Sequence, residues 1–103
     1  MIDYVLHPEV YFDLREIWEY IAGDNSTAAD LVRNEIKAAI YALVPFPHRG
    51  HKRPDLTSRP LRFIVVREYL VAYAPDEKPL LVVGVIHGRR NPHIIASILR
   101  RRE

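Results

Sequence analysis

Apolar residues near the start of the chain recur at helical spacing. Most members of this stripe lie three or four residues apart: Val10, Leu14, Ile17, Trp18 and Ile21. The spacing predicts an amphipathic helix, and Pro8 stands at a position that favours the first helical turn. Gly23 is expected just past the helix, in the left-handed conformation that glycine adopts at the least cost.

A second helical stripe begins a few residues further on. Its apolar members again fit one face of a helix: Val32, Ile36, Ala39, Ile40 and Leu43. The candidate N-cap is Asn25, Ser26 or Thr27, and Pro45 opens the segment that ends the helix. Because the connection between the two stripes is short, they are predicted to form an antiparallel helical hairpin.

The remaining apolar segments alternate or run unbroken, as strands do. Alternation between residues 2 and 6 predicts a short opening strand. Three further strands are predicted over residues 61–67, over residues 69–74 and in the segment from Leu80 to Arg90, with Glu68 as a tight reversal. Connections this short favour an antiparallel meander, and the opening strand pairs either at an edge of it or beside its last strand.

Asn91-Pro92 is a good cap and first-turn pair for a last helix, whose apolar stripe consists of Ile95, Ile98 and Leu99. Arg100, Arg101 and Arg102 suit the negative end of its dipole, although three arginines are also typical of a binding motif. The order of elements predicts an α+β fold of two layers, with the helical hairpin on one face of a mostly antiparallel sheet. The opposite face is expected to carry the basic side chains.

Charge divides the chain into two parts of opposite sign. Residues 1–47 carry three basic and eight acidic side chains, a net charge of −5, and the remainder carries twelve and five, a net charge of +7. This asymmetry indicates a basic working surface that attracts polyanions or acidic protein segments. The 103 residues predict one domain, and the lack of cysteine excludes disulfides. Without a secretion signal or an apolar run near the ~20 residues of a membrane span, a cytoplasmic protein is expected.

The last predicted strand carries the most informative chemistry. A run this apolar is typical of a strand buried on both faces, and its end delivers His87, Arg89 and Arg90 to the rim of the sheet. Together with Arg62 and Arg67 on an earlier strand, these residues are the candidates for binding a negatively charged target. Histidine can shuttle protons at neutral pH, but one at a strand end also serves as a structural hydrogen-bonding group, so both interpretations stay open.

The segment from 48 to 60, HRGHKRPDLTSRP, has no period and is dense in positive charge, so it is predicted to be a basic loop. His48 and His51 lie in it without enough neighbouring acidic or thiol groups to complete a metal site. We therefore expect no metal and no cofactor.

Four blocks of the sequence together resemble the RelE/ParE superfamily of bacterial toxins from type II toxin–antitoxin modules. They are the helix text DLREIWEYIAGDNSTAADLVRNEI, the loop HRGHKRPDL, the strands LRFIVVREYLVAYAP and the ending VVGVIHGRRNP. The likeness covers nearly the whole chain, in order and with the expected spacing. The Trp-Glu-Tyr-Ile helix and the His-Gly-Arg-Arg ending look more like the ParE branch than the RelE branch.

The resemblance implies a single RelE/ParE-like toxin domain over residues 1–103 that inhibits DNA gyrase, takes part in plasmid stabilisation and is neutralised by a cognate antitoxin, ParD-like or other. Operator DNA would be contacted only through that antitoxin. Antitoxin binding requires exposed apolar surface on the helical hairpin, and Tyr11, Trp18 and Tyr20 are the candidates. Trp18 also fits a core position, since a tryptophan on an apolar helical stripe usually packs.

Two alternatives to a gyrase inhibitor stay open. A RelE-like, ribosome-dependent messenger RNA endoribonuclease would be metal-independent and would use arginines at phosphorus with an acid and a base. The catalytic tyrosine, histidine, lysine and glutamate that the resemblance to RelE implies have no clear counterpart here. The residues after Arg90 include no tyrosine, and their only histidine is His93. Lys52 lies in the loop and Glu68 in the turn. The other alternative is a non-toxic partner or corepressor of the antitoxin, because fold and function separate readily.

Overall fold

The computed structural model describes residues 3–103, and Met1 and Ile2 lie outside the described part. The elements follow the predicted order. They are β1 (Tyr4–Leu6), α1 (Pro8–Ala22), α2 (Ser26–Leu43), a 3-10 turn (Pro47–Arg49), β2 (Arg62–Val66), β3 (Tyr69–Ala74), β4 (Leu80–His87) and α3 (Pro92–Arg101). The predicted opening strand is therefore found from Tyr4 onwards, and its proposed first residue, Ile2, falls outside the described residues.

Short polar side chains fix the starts of the helices. His7 caps α1 by accepting the Glu9 N–H at Nδ1 over 3.1 Å, and Asn25 caps α2 by accepting the Ala28 N–H over 3.0 Å. The prediction for Gly23 was wrong, because its φ of −55° and ψ of −32° are right-handed. The Gly23 N–H still bonds to the carbonyl of Glu19, and the chain turns almost at once into α2, so no left-handed residue is needed.

The four strands form one sheet in the order β1-β4-β3-β2. β2 pairs with β3 and β3 with β4 in antiparallel register, as the short connections require. β1 lies beside β4, the second of the two predicted positions, and runs parallel to it with Tyr4 opposite Leu80. The α+β fold with a mostly antiparallel sheet is thus confirmed.

The helical hairpin of α1 and α2 covers one face of the sheet and encloses the larger apolar core. Its buried members come from both helices and from alternate positions of the strands: Val10, Leu14, Val32, Ile36, Ile40, Leu43, Tyr69, Val71, Tyr73, Leu80, Val82 and Val85. The helical positions are those of the predicted stripes, spaced to face a sheet. Trp18 is only half-buried and does not belong to this cluster.

The second face of the sheet is also apolar, so the expectation that it carries the basic side chains was wrong. The loop after α2 and the helix α3 cover it with a second cluster: Leu56, Leu61, Phe63, Leu70, Ala72, Ala74, Val83, Ile86, Ile95 and Leu99. The reason lies in β3, every residue of which is buried, because a strand that is apolar on both faces needs cover on both.

Two arginines hold α3 against this second face. Arg59 donates from Nη1 to the carbonyl oxygens of Leu99 (2.8 Å) and Arg102 (3.1 Å), at the C-terminal end of the helix where carbonyls lack helical partners. Arg102 reaches α1 and pairs with Asp13 through both of its terminal nitrogens. Of the three terminal arginines, Arg102 therefore has a structural partner, whereas Arg100 and Arg101 are exposed.

The Asp13–Arg102 pair also satisfies a bulge in β4. Ala72 pairs with Gly84 and Tyr73 with Val82, so Val83 is an extra residue that interrupts the ladder. The Asp13 carboxylate accepts the Val85 N–H at 3.0 Å, and Arg102 Nη1 donates to the Val83 carbonyl at 3.2 Å. One ion pair thus links α1, α3 and the bulge, and it bonds to backbone groups of β4 on both sides of Gly84.

Candidate functional site

The end of β4 continues into a short basic loop that is fastened to the neighbouring turn. The Gly88 N–H donates to the Glu68 carbonyl at 2.8 Å, and the Arg90 N–H donates to the His87 carbonyl at 3.1 Å. A Cβ at Gly88 would lie 3.2 Å from the Glu68 carbonyl oxygen, so this close approach favours glycine. The two-residue turn between β2 and β3 therefore sets where the loop begins.

His87 is engaged at both ring nitrogens. Nδ1 accepts the Arg89 N–H at 3.1 Å, and Nε2 lies 3.1 Å from Oε2 of Glu68. Because an amide can only donate, the proton of the neutral ring is on Nε2 and is shared with the Glu68 carboxylate. The ring meets Tyr69 edge-on, with centroids 5.5 Å apart. Neither nitrogen is free in this arrangement to take up or release a substrate proton.

The side chains of the two loop arginines, unlike the ring of His87, extend into solvent. Arg89 and Arg90 are exposed, and among residues 3–103 neither side chain forms an ion pair or a hydrogen bond. Arg67, the first turn residue between β2 and β3, is also exposed and pairs with Glu35 of α2. Its φ of 55° is unusual for a residue with a side chain, and the ion pair to α2 helps to hold it there. We call Arg67, Arg89 and Arg90 the basic rim.

The candidate target-binding residues do not all lie together. Arg67, His87, Arg89 and Arg90 share one end of the sheet, whereas Arg62 starts β2 at the other end, about 13 Å further along the strand. There Arg62 is half-buried and donates to the Gly50 carbonyl at 2.8 Å. The structure thus gives Arg62 a partner in the loop after α2 and separates it from the basic rim.

A cleft of about 380 Å³ lies between α1, α3 and the end of β4. Tyr20, Tyr69, His87 and Arg90 are among the side chains that line it. Burial raises the pKa of the Tyr69 phenol, and the nearby Glu68 carboxylate raises it further, so this hydroxyl stays protonated well above neutral pH.

A second groove of about 400 Å³ crosses the outside of the helical hairpin. Its floor is apolar and its edges are basic: Leu6, Tyr11, Leu14, Trp18, Arg15, Arg33 and Lys37. The Trp18 indole donates to Oδ1 of Asp30 at 2.8 Å, which fixes the ring at the mouth of the groove. Tyr11 and Trp18 therefore share one surface, while Tyr20, 83% exposed, lies in the other cleft.

The predicted loop histidines have other partners. His48 Nε2 lies 3.1 Å from Oδ1 of Asp76, and His51 pairs with Phe63 through two backbone hydrogen bonds. Over residues 3–103, no three His, Asp or Glu side chains are grouped to hold a metal ion. In the same part of the chain, no helix is long and apolar enough to pass through a lipid bilayer.

Sequence reasoning missed two acidic residues that organise these surfaces. The local pattern places Glu68 only in a turn and gives Asp13 no role. The register of a two-residue hairpin places Glu68 beside the start of the loop after β4, so the turn itself was a usable signal. Nothing in the local sequence relates Asp13 to Arg102, which is 89 residues away.

The order of elements, the helical hairpin on the sheet and the basic loop after β4 define a small α+β module of RelE/ParE-like fold. The family model described as the ParE toxin of the type II toxin–antitoxin system, parDE, matches residues 4–92, from β1 to the start of α3. The chain therefore belongs to the ParE toxin family and is the toxin of a type II toxin–antitoxin system, for which the family implies an antitoxin partner. No curated protein matches the chain.

Proposed function

We propose that this toxin inhibits DNA gyrase by binding through its basic rim, and that a cognate antitoxin neutralises it by direct binding. The observation that carries the first part is the pair of exposed arginines, Arg89 and Arg90, without partners among residues 3–103. Unpaired guanidinium groups on a fastened loop suit carboxylates or phosphates, which they bind in a planar, bidentate manner. A complex of gyrase with DNA offers both groups.

The arrangement of His87 favours binding over cleavage. A histidine that acts as a general acid or base directs one ring nitrogen at a substrate proton, whereas both ring nitrogens of His87 are directed at protein groups. The basic rim beside it supplies positive charge for binding. This supports gyrase inhibition over an endoribonuclease activity.

The groove at Tyr11 and Trp18 suits the antitoxin. Its apolar floor fits the apolar face of an amphipathic helix, and the cations Arg15 and Lys37 at its edge fit acidic residues on that helix. This groove lies on the hairpin, away from the basic rim.

Purified bacterial gyrase tests the first part. Supercoiling should fall and linear DNA should accumulate as the protein is added, and the double variant Arg89→Ala, Arg90→Ala should raise the half-inhibitory concentration at least tenfold. The control is Arg100→Ala, Arg101→Ala, which removes two exposed charges from α3 and should change it less than twofold. No inhibition at a large molar excess would contradict gyrase as the target.

The alternatives give other results with the same protein. Cuts at defined codons in translated messages, mapped by primer extension after expression, would instead establish an endoribonuclease. Normal growth of cells that contain the soluble protein alone would point to a non-toxic partner of the antitoxin.

Binding of the antitoxin can be measured with the small protein encoded next to the toxin. Tyr11→Ala and Trp18→Ala should each weaken its affinity at least tenfold, because aromatic anchors dominate such interfaces, while inhibition of gyrase persists. Tyr41→Ala, a substitution of an equally exposed tyrosine of α2 outside the groove, should change the affinity less than twofold. Equal effects of all three would place the antitoxin elsewhere.

A further inference from the structure

Glu68 contacts the basic loop in two ways. Its carbonyl accepts the Gly88 N–H at 2.8 Å, and its carboxylate lies 3.1 Å from Nε2 of His87. The carboxylate is 61% exposed and stands next to the basic rim. A negative charge there weakens the attraction of an anionic target, so a simple electrostatic role in target binding does not account for it.

The bond from Glu68 has a consequence on the far side of the imidazole ring. By accepting a hydrogen bond from the Nε2–H group, the carboxylate favours the tautomer in which Nδ1 carries a lone pair. That lone pair accepts the Arg89 N–H at 3.1 Å, and the edge of the ring packs on Tyr69. The chain of contacts thus runs from the turn between β2 and β3, through the histidine, to the backbone of the first loop arginine.

We propose that Glu68 is a positioning residue, which holds His87 in the Nε2–H tautomer so that Nδ1 fixes the Arg89 amide and keeps the loop backbone that carries Arg89 and Arg90 in one conformation. This inference rests on the proposed role of the basic rim in binding the target. A loop that is ordered in advance loses less conformational freedom on binding, and the resulting gain in affinity exceeds the electrostatic cost of one exposed carboxylate.

Two substitutions of Glu68 separate a positioning bond from a charge effect. Glu68→Ala and Glu68→Gln remove the same charge, but the amide oxygen of glutamine can still accept the Nε2 proton. In gyrase inhibition, Glu68→Ala should raise the half-inhibitory concentration about tenfold, because the backbone of the loop then has to be ordered on binding. Glu68→Gln should stay within twofold of the unsubstituted protein. The control Glu77→Ala, an exposed acid in the turn between β3 and β4, should have no effect.

NMR spectroscopy of the free protein tests the positioning without reference to gyrase. Nitrogen shifts of His87 should show the Nε2–H tautomer, and relaxation of the Arg89 amide should show an ordered backbone that becomes mobile in Glu68→Ala but not in Glu68→Gln. A ring with the proton on Nδ1, or an Arg89 amide equally ordered in both variants, would overturn the inference. Unchanged melting temperatures confirm that each variant is folded.

The two assays fail separately. If the protein does not inhibit gyrase but the NMR results are as expected, the target is wrong and the positioning stands. If the protein inhibits gyrase and Glu68→Ala and Glu68→Gln weaken this inhibition equally, the charge of Glu68 matters and its positioning role is refuted.

Discussion

The ion pair between Asp13 and Arg102 gives the sharpest stability prediction. The two side chains are only 14% and 11% exposed, and they make two direct hydrogen bonds, one of them 2.8 Å from Nη2 to Oδ1. The bond to the Asp13 carboxylate raises the pKa of the Arg102 guanidinium, which therefore stays charged. The pair also supplies partners to the bulge in β4, so its loss affects three elements together.

Arg102→Met keeps much of the length of the side chain and removes its charge. The Asp13 carboxylate then keeps the Val85 N–H as a donor, and the Val83 carbonyl loses the Arg102 guanidinium. Breaking one side of a fully buried ion pair costs about 3–5 kcal/mol, and this pair, which is largely but not fully shielded from solvent, should lose somewhat less. Because a domain of this size has a free energy of unfolding of roughly 5–15 kcal/mol, we expect the midpoint of thermal unfolding to fall by more than about 10 °C.

Arg101→Met is the matched control, since it removes the same charge from the neighbouring, exposed position of α3. Its free energy of unfolding should change by no more than about 0.5 kcal/mol. Asp13→Asn combined with Arg102→Met leaves no buried charge, so the double variant should be more stable than the sum of the single effects by about 1–3 kcal/mol.

Urea denaturation, followed by far-UV circular dichroism and by the fluorescence of Trp18, the single tryptophan, measures these free energies. The reasoning is refuted if Arg102→Met costs no more than Arg101→Met. It is also refuted if the effects of the two buried substitutions are additive, because the pair would then contribute nothing as a pair.

Two further predictions concern the contact between Gly50 and Tyr73. A Cβ at Gly50 would lie 2.6 Å from the Tyr73 hydroxyl and 2.8 Å from the Phe63 carbonyl, so Gly50→Ala should lower the free energy of unfolding by about 1–3 kcal/mol. The control Gly23→Ala, at an open right-handed position, should raise the free energy of unfolding by about 0.4–1 kcal/mol. Equal effects of the two substitutions in urea denaturation would contradict this reasoning. Burial raises the pKa of the Tyr73 phenol, so the unfolded chain loses this proton first and the free energy of unfolding falls as pH rises above about 10. This fall should be shallower in Tyr73→Phe. Parallel curves of the free energy of unfolding against pH for the two proteins would argue against the explanation.

Much of the fold follows from local patterns. The stripes that include Val10 and Ile36 predict the helical hairpin because side chains three or four residues apart share one helix face. The short turns around Glu68 predict the antiparallel pairs because such connections cannot cross between parallel strands. These signals lie within a few residues of each other, so the sequence alone was sufficient for them.

The layout of the second face depended on tertiary contacts. The buried pattern of β3 allowed cover on both sides, but only the folded chain shows that the loop containing Leu56 and the helix α3 provide it. The choice between the two positions for β1 was open for the same reason, since pairing with β4 joins residues more than 70 positions apart.

For the candidate site, too, some features follow from the sequence and others only from the tertiary structure. The sequence by itself placed His87, Arg89 and Arg90 at the end of a buried strand, because an unbroken apolar run must stop where charged groups reach water. Only the tertiary structure separated Arg62 from them, occupied both nitrogens of His87 and joined Asp13 to Arg102. Apart from the local bond between the Arg89 amide and His87, those contacts join segments that are distant in sequence, and local periodicity carries no information about how such segments pair or dock.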